Sequence, residues 1–147
     1  MHEADSIWPD EGSLSKADVR HRAKGLFAID TMNGDTWTAA QAYCSVSTAD
    51  IMCVQEARVS DGELDDTEAT MRALGWSMSI GKCGKGAKGG NSDGVAVGTR
   101  AHIGMTESLL HTPLDDGCAH RCTSKLVGAC VPGGFHCGSL YCIPSIG

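Results

Sequence analysis

The sequence predicts an α/β (α+β) fold that contains a mixed sheet. A continuous apolar run over residues 51–54 is typical of a fully buried strand. Segments with apolar side chains at helical spacing lie on both sides of this run, and later segments alternate apolar and polar residues as half-buried strands do. Helices combined with buried and half-buried strands indicate this fold class.

The N-terminal elements form a strand–helix–strand unit. A short strand is expected over residues 24–31, and Asp35 is a candidate cap for a helix that begins at Trp37. This helix ends before the buried strand at residues 51–54. Because a helix connects the two strands, we expect them to be parallel, with a right-handed crossover.

The remaining elements are predicted from helix-capping residues, from the alternation of apolar and polar residues, and from turn residues. A second helix is expected over residues 64–74, with Gly75 as its left-handed C-terminal cap. The glycine-rich residues 81–94 are expected to form a loop, residues 101–120 to be irregular, and residues 132–134 to form a hairpin turn. The expected later strands are residues 76–80, 95–100, 125–131 and 135–143.

Length and charge limit the function classes. The chain has 147 residues, with 12 Lys and Arg against 18 Asp and Glu, so its formal net charge is −6. This acidity argues against a dedicated polyanion-binding protein, although it does not exclude a local basic patch. No apolar run approaches the roughly 20 residues of a membrane helix, and no secretory signal is visible in the first residues. We therefore expect an intracellular protein, nuclear or cytoplasmic.

One domain is expected, preceded by a short arm. Residues 1–22 mix acidic residues, serine, proline and glycine without a stable period and are expected to form a poorly ordered arm, whereas residues 23–147 form the domain. The eight cysteines are an even number, as in secreted disulfide scaffolds. Cys53 and Cys130, however, lie inside apolar runs, where a thiol packs as a small buried hydrophobe. Buried thiols are the favoured interpretation, and a disulfide scaffold is the alternative.

Polar side chains follow the two parallel strands of the first unit. Asn33 comes after the first strand, and Glu56 ends the segment that contains the buried strand. The carboxyl ends of parallel strands emerge at the same edge of a sheet, where open α/β sheets bind ligands. One carboxylate and one amide oxygen are hard ligands that suit Mg²⁺. The sequence thus predicts a cation site at Asn33 and Glu56; the alternative is two polar residues that merely end strands.

The order of several short motifs resembles that of endonuclease/exonuclease/phosphatase domains. This superfamily includes apurinic-site endonucleases, phosphoinositide phosphatases and the endonuclease of LINE-type retrotransposons, and the chain is most similar to transposon-derived members. The resemblance covers roughly residues 25–147 and implies a partial four-layer α-β-β-α sandwich with a mixed sheet. The motifs are Thr31-Met-Asn33-Gly, Gln55-Glu56, Gly75-Trp76, Ser92-Asp-Gly94-Val-Ala-Val and Gly138-Ser-Leu-Tyr141.

The resemblance implies a catalytic role for three residues. Asn33 matches an amide that orients the phosphate or a metal-bound water, Glu56 matches the metal-binding carboxylate, and Tyr141 matches a tyrosine that donates a hydrogen bond to the scissile phosphate. The implied cofactor is Mg²⁺ or Mn²⁺, and the implied reaction is phosphodiester hydrolysis. The implied partner is DNA, whose backbone the lysines of the glycine-rich loop could contact; RNA and phosphoinositide stay open as substrates.

The chain departs from the family pattern after Tyr141. The family's Asp-x-Asn motif, a later metal-binding Asp and a terminal Asp-His pair have no counterpart in the residues that follow, and none of the six histidines fits the catalytic position. We therefore expect a truncated and nearly inactive chain, with a sheet face available for self-association. A non-catalytic remnant or interaction module is the alternative function.

A structural zinc centre is a further alternative. Zinc in such centres takes four Cys or His ligands in a tetrahedral arrangement. The C-terminal third of the chain has enough of these residues, although no Cys-x-x-Cys motif is present. The candidate ligands are Cys118, His120, Cys122, Cys130, His136 and Cys137.

Other residues with chemical potential have plainer interpretations. Residues 90–94 match the Gly-x-Ser-x-Gly string of serine hydrolases, but a strand rather than a helix is expected to follow them. Arg58 and Arg100 are interpreted as solvated side chains, although both could face phosphate. Trp37 and Trp76 are interpreted as core residues rather than base-stacking platforms.

Overall fold

The computed structural model describes residues 20–86, 88–107, 120–128 and 131–141, and after residue 105 it describes side chains only for residues 137–139. The helices in these ranges are α1 (Arg20–Ala23), α2 (Trp37–Val46) and α3 (Leu64–Ala73), and a 3₁₀ turn (Asp61–Glu63) precedes α3. The strands are β1 (Ile29–Asn33), β2 (Ile51–Gln55), β3 (Trp76–Ile80), β4 (Gly84–Lys85), β5 (Asn91–Ser92), β6 (Val95–Arg100), β7 (Met105–Glu107), β8 (His120–Gly128) and β9 (Val131–Tyr141).

The main sheet is mixed and has the strand order β1-β2-β6-β3. β1 and β2 are parallel, with Asn33 opposite Gln55, whereas β6 is antiparallel to both β2 and β3. The predicted parallel pair and mixed sheet are therefore confirmed. The α+β fold class is also confirmed, because helices and strands together build the described part of the chain.

A second sheet, β7-β8-β9, lies against the main sheet. Its strands are antiparallel, and β9 packs on β2 through Cys137 and Ser139. β7 lies within residues 101–120, which were expected to be irregular; residues 108–119 lie outside the described residues. The described chain thus stacks a helix layer, the main sheet and a second sheet.

The core occupies both faces of the main sheet, so β2 is buried on both sides and reads as a continuous apolar run. The cluster on the helix side consists of Ala40, Cys44, Ala49, Met52, Val54, Ala57, Val59, Met71, Trp76 and Ala96. The cluster between the sheets consists of Ile51, Cys53, Val97 and Ile103, with Phe27 and Cys137 packed against it. The central strands β2 and β6 are therefore covered on both faces, whereas β1 at the edge leaves Ile29, Thr31 and Asn33 exposed. The predicted self-association through an exposed face stays a prediction.

The helix ends follow short-range capping signals. Thr36, in an extended conformation, accepts a hydrogen bond from the backbone N–H of Ala39 at 3.3 Å and is the N-cap of α2. The prediction that Asp35 is this cap was wrong by one residue. Gly75 follows α3 with φ of +82°, as predicted for a left-handed C-terminal cap.

A predicted loop and a predicted turn contain strands instead. Within residues 81–94, β4 and β5 form a small hairpin, in which Lys85 Nζ donates to Asn91 Oδ1 at 2.8 Å. The predicted turn at residues 132–134 lies inside β9, and the connection falls between Gly128 and Val131. β9 is an edge strand of its sheet, where a proline is tolerated because one side needs no backbone donor.

A buried carboxylate fixes the start of the described chain. Asp50 is fully buried and accepts hydrogen bonds from Arg22 Nε and from the backbone N–H of Ala28, both at 2.9 Å. His21 Nε2 lies 2.7 Å from the same carboxylate. Residues 20–22, expected to belong to the arm, therefore pack on the domain, and β1 begins later than expected because the chain first approaches Asp50. The rest of the arm, residues 1–19, lies outside the described residues.

Candidate functional site

The two predicted site residues at the strand ends lie side by side. Asn33 is the last residue of β1, and Glu56 follows β2 directly. Asn33 Nδ2 donates to Glu56 Oε1 at 3.4 Å. The predicted proximity of this amide and this carboxylate at one edge of the sheet is therefore confirmed. We call Asn33, Glu56 and Arg58, which pairs with Glu56, the strand-end cluster.

A row of hydrogen-bonded polar side chains leads from β1 across β2 to the second sheet, next to this cluster. Thr31 and Asn33 point to the same exposed face of β1. Gln55 Nε2 donates to Ser139 Oγ of β9 at 3.0 Å, and that hydroxyl donates to the backbone carbonyl of Val54 at 3.0 Å. Thr31 and Gln55 are also hydrogen bonded at 3.2 Å. This row thus offers amide and hydroxyl groups near Glu56.

Arg58 neutralises part of the charge on Glu56. The guanidinium Nη2 donates to Glu56 Oε2 in an ion pair, whose side chains are 37% and 17% exposed. The Arg58 side chain, interpreted from the sequence as solvated, is partly exposed but is ion paired with Glu56. Because the pair is partly exposed, it can open at modest cost when a stronger ligand approaches Glu56.

The backbone that carries the cluster has unusual conformations. Glu56, Arg58 and Asp93 have φ of +52°, +53° and +61°, and no other described non-glycine residue has a positive φ. Left-handed conformations of non-glycine residues persist only where the surroundings hold them, and they concentrate at functional sites. Three such residues in contact are an observation that favours a functional site here.

The β5–β6 connection holds this backbone in place. Ala57 and Arg58 donate their backbone N–H groups to the carbonyls of Gly94 and Asp93, both at 2.9 Å. Asn91 Nδ2 donates to the carbonyl of Arg58 at 3.2 Å. A side chain at Gly94, whose φ is +82°, would place its Cβ 3.3 Å from the Arg58 nitrogen. The Ser92-Asp-Gly94 motif therefore positions the residues that follow β2.

A cavity of about 360 Å³ opens on the helix side of Arg58. Two donor atoms of its lining residues, Trp37 Nε1 and Arg58 Nε, are buried without a hydrogen-bond partner. The lining also includes Asp35 and Glu63. The Ser60 hydroxyl, which hydrogen bonds to the Glu63 carboxylate, lowers the pKa of Glu63. The two unpartnered donors suit a ligand with acceptor oxygens, and the two acids of the lining disfavour a strongly anionic ligand.

Tyr141, the third predicted site residue, ends β9 opposite His120 of β8. Two residues earlier, Ser139 is hydrogen bonded to Gln55, so the backbone of β9 runs along β2 toward the end that carries Glu56. The Tyr141 side chain lies outside the described residues, and its role stays a prediction.

A divalent cation has few protein ligands here. Within the described side chains, no group of three or more His, Cys, Asp or Glu residues could hold a metal ion. The strand-end cluster offers one carboxylate, Glu56, and the amide of Asn33, whose oxygen faces the site after rotation of the amide. That donor set fits Mg²⁺ or Mn²⁺, because Mg²⁺ is commonly bound by one or two carboxylates, with water and phosphate as further ligands.

The remaining candidates from the sequence are a zinc centre and the Gly-x-Ser-x-Gly string of residues 90–94. Of the zinc ligand candidates, only the Cys137 side chain is described, and it faces Cys53. Cys118 and Cys130 lie outside the described residues, and only the backbone is described for His120, Cys122 and His136, so the zinc centre stays a prediction. Ser92 ends β5 and is followed by β6, so residues 90–94 are not a strand-to-helix elbow. Its hydroxyl donates to Asp93 at 3.1 Å.

The tryptophan interpretation is confirmed for Trp76. This side chain is fully buried and donates from Nε1 to the carbonyl of Cys44 at 3.0 Å. Arg100, interpreted as solvated, instead lies 4.0 Å above the Trp76 ring and donates to the carbonyl of Ala49 at 3.0 Å. Burial, partly offset by the neighbouring Cys44 and Asp50, lowers the pKa of Arg100. This arginine is structural.

No protein-family model, curated protein or solved structure matches this chain. The resemblance to endonuclease/exonuclease/phosphatase domains therefore stays a prediction. No helix in the described ranges is both long and apolar enough to cross a bilayer.

Sequence reasoning missed the residues that hold Glu56. Arg58, Asn91 and Asp93 showed no periodic or compositional signal, because their roles depend on positive φ and on contacts between distant segments. The Ser92-Asp-Gly94 motif enters the sequence argument through the resemblance and through the Gly-x-Ser-x-Gly string, and neither predicts its contact with Arg58. Its glycine before a strand was the one local signal for a close backbone approach.

Proposed function

We propose that the strand-end cluster is the active site of a Mg²⁺-dependent phosphodiester hydrolase that acts on DNA. The observation that carries the proposal is the 3.4 Å contact between Asn33 Nδ2 and Glu56 Oε1 at the carboxyl ends of two parallel strands. This edge is the usual ligand position in open α/β sheets. The positive φ of Glu56 and Arg58 adds independent support.

Each residue of the cluster has a distinct part in this proposal. Glu56, with the oxygen of Asn33, would hold the cation, which when bound would polarise a phosphoryl oxygen. Arg58 is released from Glu56 and donates to a phosphate oxygen, a bidentate role that suits a guanidinium. Asn33 orients the phosphate from the open face of β1. Tyr141 donates a hydrogen bond to the same phosphate.

Surface charge supports a nucleic-acid substrate. Lys82, Lys85 and Lys88 are exposed on the segment that carries β4 and β5, although Lys82 is ion paired with Asp61 at 3.0 Å. Lys85 is hydrogen bonded to Asn91, which in turn contacts the backbone of Arg58, so a single residue separates a basic group from the cluster. A local basic strip of this kind binds a phosphate backbone even on an acidic protein.

Turnover in this chain is proposed to be slow. Neither histidine side chain with a described position lies in the cluster: His21 contacts Asp50 near the other end of β2, and His102 follows β6. A general base contributes on the order of 10²–10⁴ in rate. We also propose an intracellular location, with which free thiols at Cys44, Cys53, Cys83 and Cys137 are compatible.

A non-catalytic interaction module is the rival function. The observation that favours it is the ion pair of Glu56 with Arg58, which satisfies the carboxylate without any cation. Under this hypothesis the cavity beside Arg58 and the strand-end cluster bind a partner, and no bond is broken.

Plasmid nicking decides between the two functions. Supercoiled plasmid is incubated for hours with near-stoichiometric protein and Mg²⁺, and conversion to open circles is followed on gels. We expect slow, Mg²⁺-dependent nicking that falls on the order of 10²-fold in Glu56→Gln, because a charge that stabilises the transition state is lost. Glu68→Gln on α3, purified in parallel, is the matched control and should nick like the parent.

Two results would contradict the hydrolase. One is equal nicking by Glu56→Gln and the parent, which would indicate a contaminating nuclease. The other is the absence of nicking by parent protein whose circular dichroism spectrum shows a folded α+β chain; with plasmid binding retained, this result supports the interaction module.

A further inference from the structure

Two cysteines face each other between the two sheets. Cys53 of β2 and Cys137 of β9 have their sulfur atoms 3.7 Å apart, although 84 positions separate them along the chain. Both belong to the cluster that joins the sheets. A disulfide needs sulfur atoms about 2.05 Å apart, so side-chain adjustment of less than 2 Å by the pair would close the bond.

The two thiols differ in access and in acidity. Cys53 is 8% exposed, whereas Cys137 is half-buried and reachable from solvent. The hydrogen bond from Cys53 lowers the pKa of the Cys137 thiol to about 7, with burial acting against it and the Gly138 backbone adding to it. Near neutral pH a large fraction of Cys137 is therefore thiolate, which is the nucleophilic form.

Cys44 shows what an unreactive thiol looks like in the same fold. It is fully buried on the helix side, and burial raises its pKa to about 11. It therefore stays protonated and shielded at neutral pH. Acidity and access set Cys137 apart from this cysteine, and the adjacent sulfur of Cys53 supplies a reaction partner.

We propose that Cys137 and Cys53 are an oxidation site, in which a hydroperoxide converts the two thiols into a disulfide that links the two sheets. The Cys137 thiolate attacks the peroxide oxygen, the O–O bond breaks, and sulfenic acid forms with release of hydroxide, or of alkoxide from an organic peroxide. The Cys53 sulfur then attacks the Cys137 sulfur, the S–O bond breaks, and water leaves with the thiol proton. Two electrons pass from the sulfur atoms to the peroxide, so the balance closes.

The different burial of the two cysteines determines their different roles in the reaction. Cys137 meets the oxidant because it is accessible, and Cys53 resolves the sulfenic acid because it is shielded but adjacent. The bond forms two residues before Ser139, whose hydroxyl bonds to β2. Oxidation therefore ties β9 to β2 covalently, in the register they already have.

The test is peptide mapping of the full chain after oxidation. Fully reduced protein receives a small excess of hydrogen peroxide, remaining thiols are blocked with N-ethylmaleimide, and peptides are identified by mass spectrometry. We expect a Cys53–Cys137 cross-linked peptide, an intact mass lower by two hydrogen atoms, and a Tm raised by about 5 °C or more, since a long loop is closed. Before oxidation, iodoacetamide at pH 7 should alkylate Cys137 about tenfold faster than Cys83.

Substitutions of single cysteines test which two sulfur atoms form the bond. Cys53→Ser should lose the cross-link and accumulate Cys137 sulfenic acid that dimedone traps, whereas Cys83→Ser, the matched control, should form the cross-link like the parent. Should a variant fail to fold, the parent protein still decides. Cross-links of Cys137 to other cysteines, or sulfenic acid in the parent without the Cys53 bond, would overturn the proposal, as would preferential oxidation of Cys83.

Discussion

Arg22 and Asp50 form a buried ion pair, with 2.9 Å between nitrogen and carboxylate, near the end of β2 opposite to Glu56. Their side chains are 6% and 0% exposed, so neither charge is hydrated well. His21 and the backbone of Ala28 complete the hydrogen bonding of the carboxylate. A buried, fully bonded carboxylate that joins α1, β1 and β2 fixes where the chain enters the sheet.

Replacement of Asp50 should destabilise the fold strongly. Asp50→Ala leaves the Arg22 guanidinium buried without its counter-ion, and the expected loss in the free energy of unfolding is about 3–5 kcal/mol. Urea denaturation followed by circular dichroism measures it. Asp66→Ala, an exposed position on α3, is the control and should change stability by less than about 0.5 kcal/mol. A loss below about 1 kcal/mol in Asp50→Ala would contradict the role of this network.

A side chain at Gly94 should disturb the strand-end cluster. Gly94 and Gly75 share φ of +82°, but only Gly94 faces a close neighbour, the Arg58 nitrogen at 3.3 Å from a Cβ. Gly75→Ala should therefore cost about 1 kcal/mol for its backbone conformation alone. Gly94→Ala should cost at least about 1 kcal/mol more, because Arg58 must shift as well.

The comparison of these two variants separates crowding from backbone strain. Thermal denaturation gives the stability difference, and Mn²⁺ binding gives the effect on Glu56. Equal stability losses in Gly94→Ala and Gly75→Ala, with unchanged Mn²⁺ affinity, would show that the β5–β6 connection does not position Glu56.

Removal of Arg58 should affect cation and phosphate binding in opposite directions. Arg58→Gln releases Glu56 from its ion pair, so Mn²⁺ should bind about fivefold more tightly, which corresponds to a partly exposed pair of about 1 kcal/mol. Binding of a short DNA duplex, followed by fluorescence anisotropy, should weaken because a phosphate donor is lost. Arg72→Gln, exposed in the last turn of α3, should change neither. Weaker Mn²⁺ binding in Arg58→Gln would contradict the proposal that Arg58 and the cation compete for Glu56.

Local sequence signals predicted the two strands that position Asn33 and Glu56, but not the residues that hold these strand ends in place. The apolar run of β2 and the intervening helix sufficed to predict a parallel pair, and hence the meeting of Asn33 with Glu56. The start of α2 was harder to predict, because the adjacent residues Asp35 and Thr36 both have side chains that suit an N-cap.

The residues that hold the strand ends depend on contacts between segments far apart in the sequence. Such contacts leave no local sequence pattern. Arg58 reads as a surface residue until the backbone near Asp93 is seen to hold it. Asp50 precedes an apolar strand like any polar residue, and only its approach to Arg22 shows why it is buried. The Cys53–Cys137 contact likewise joins strands from two different sheets.

Mn²⁺ binding to the strand-end cluster tests the central claim most directly, namely that Asn33 and Glu56 together hold one divalent cation. Electron paramagnetic resonance counts unbound Mn²⁺ in titrations of the parent, Glu56→Gln, Asn33→Ala and the control Glu68→Gln. We expect one site in the parent and the control, at least about tenfold weaker binding in Glu56→Gln, and a smaller loss in Asn33→Ala. The same affinity in Glu56→Gln and the parent would contradict the account.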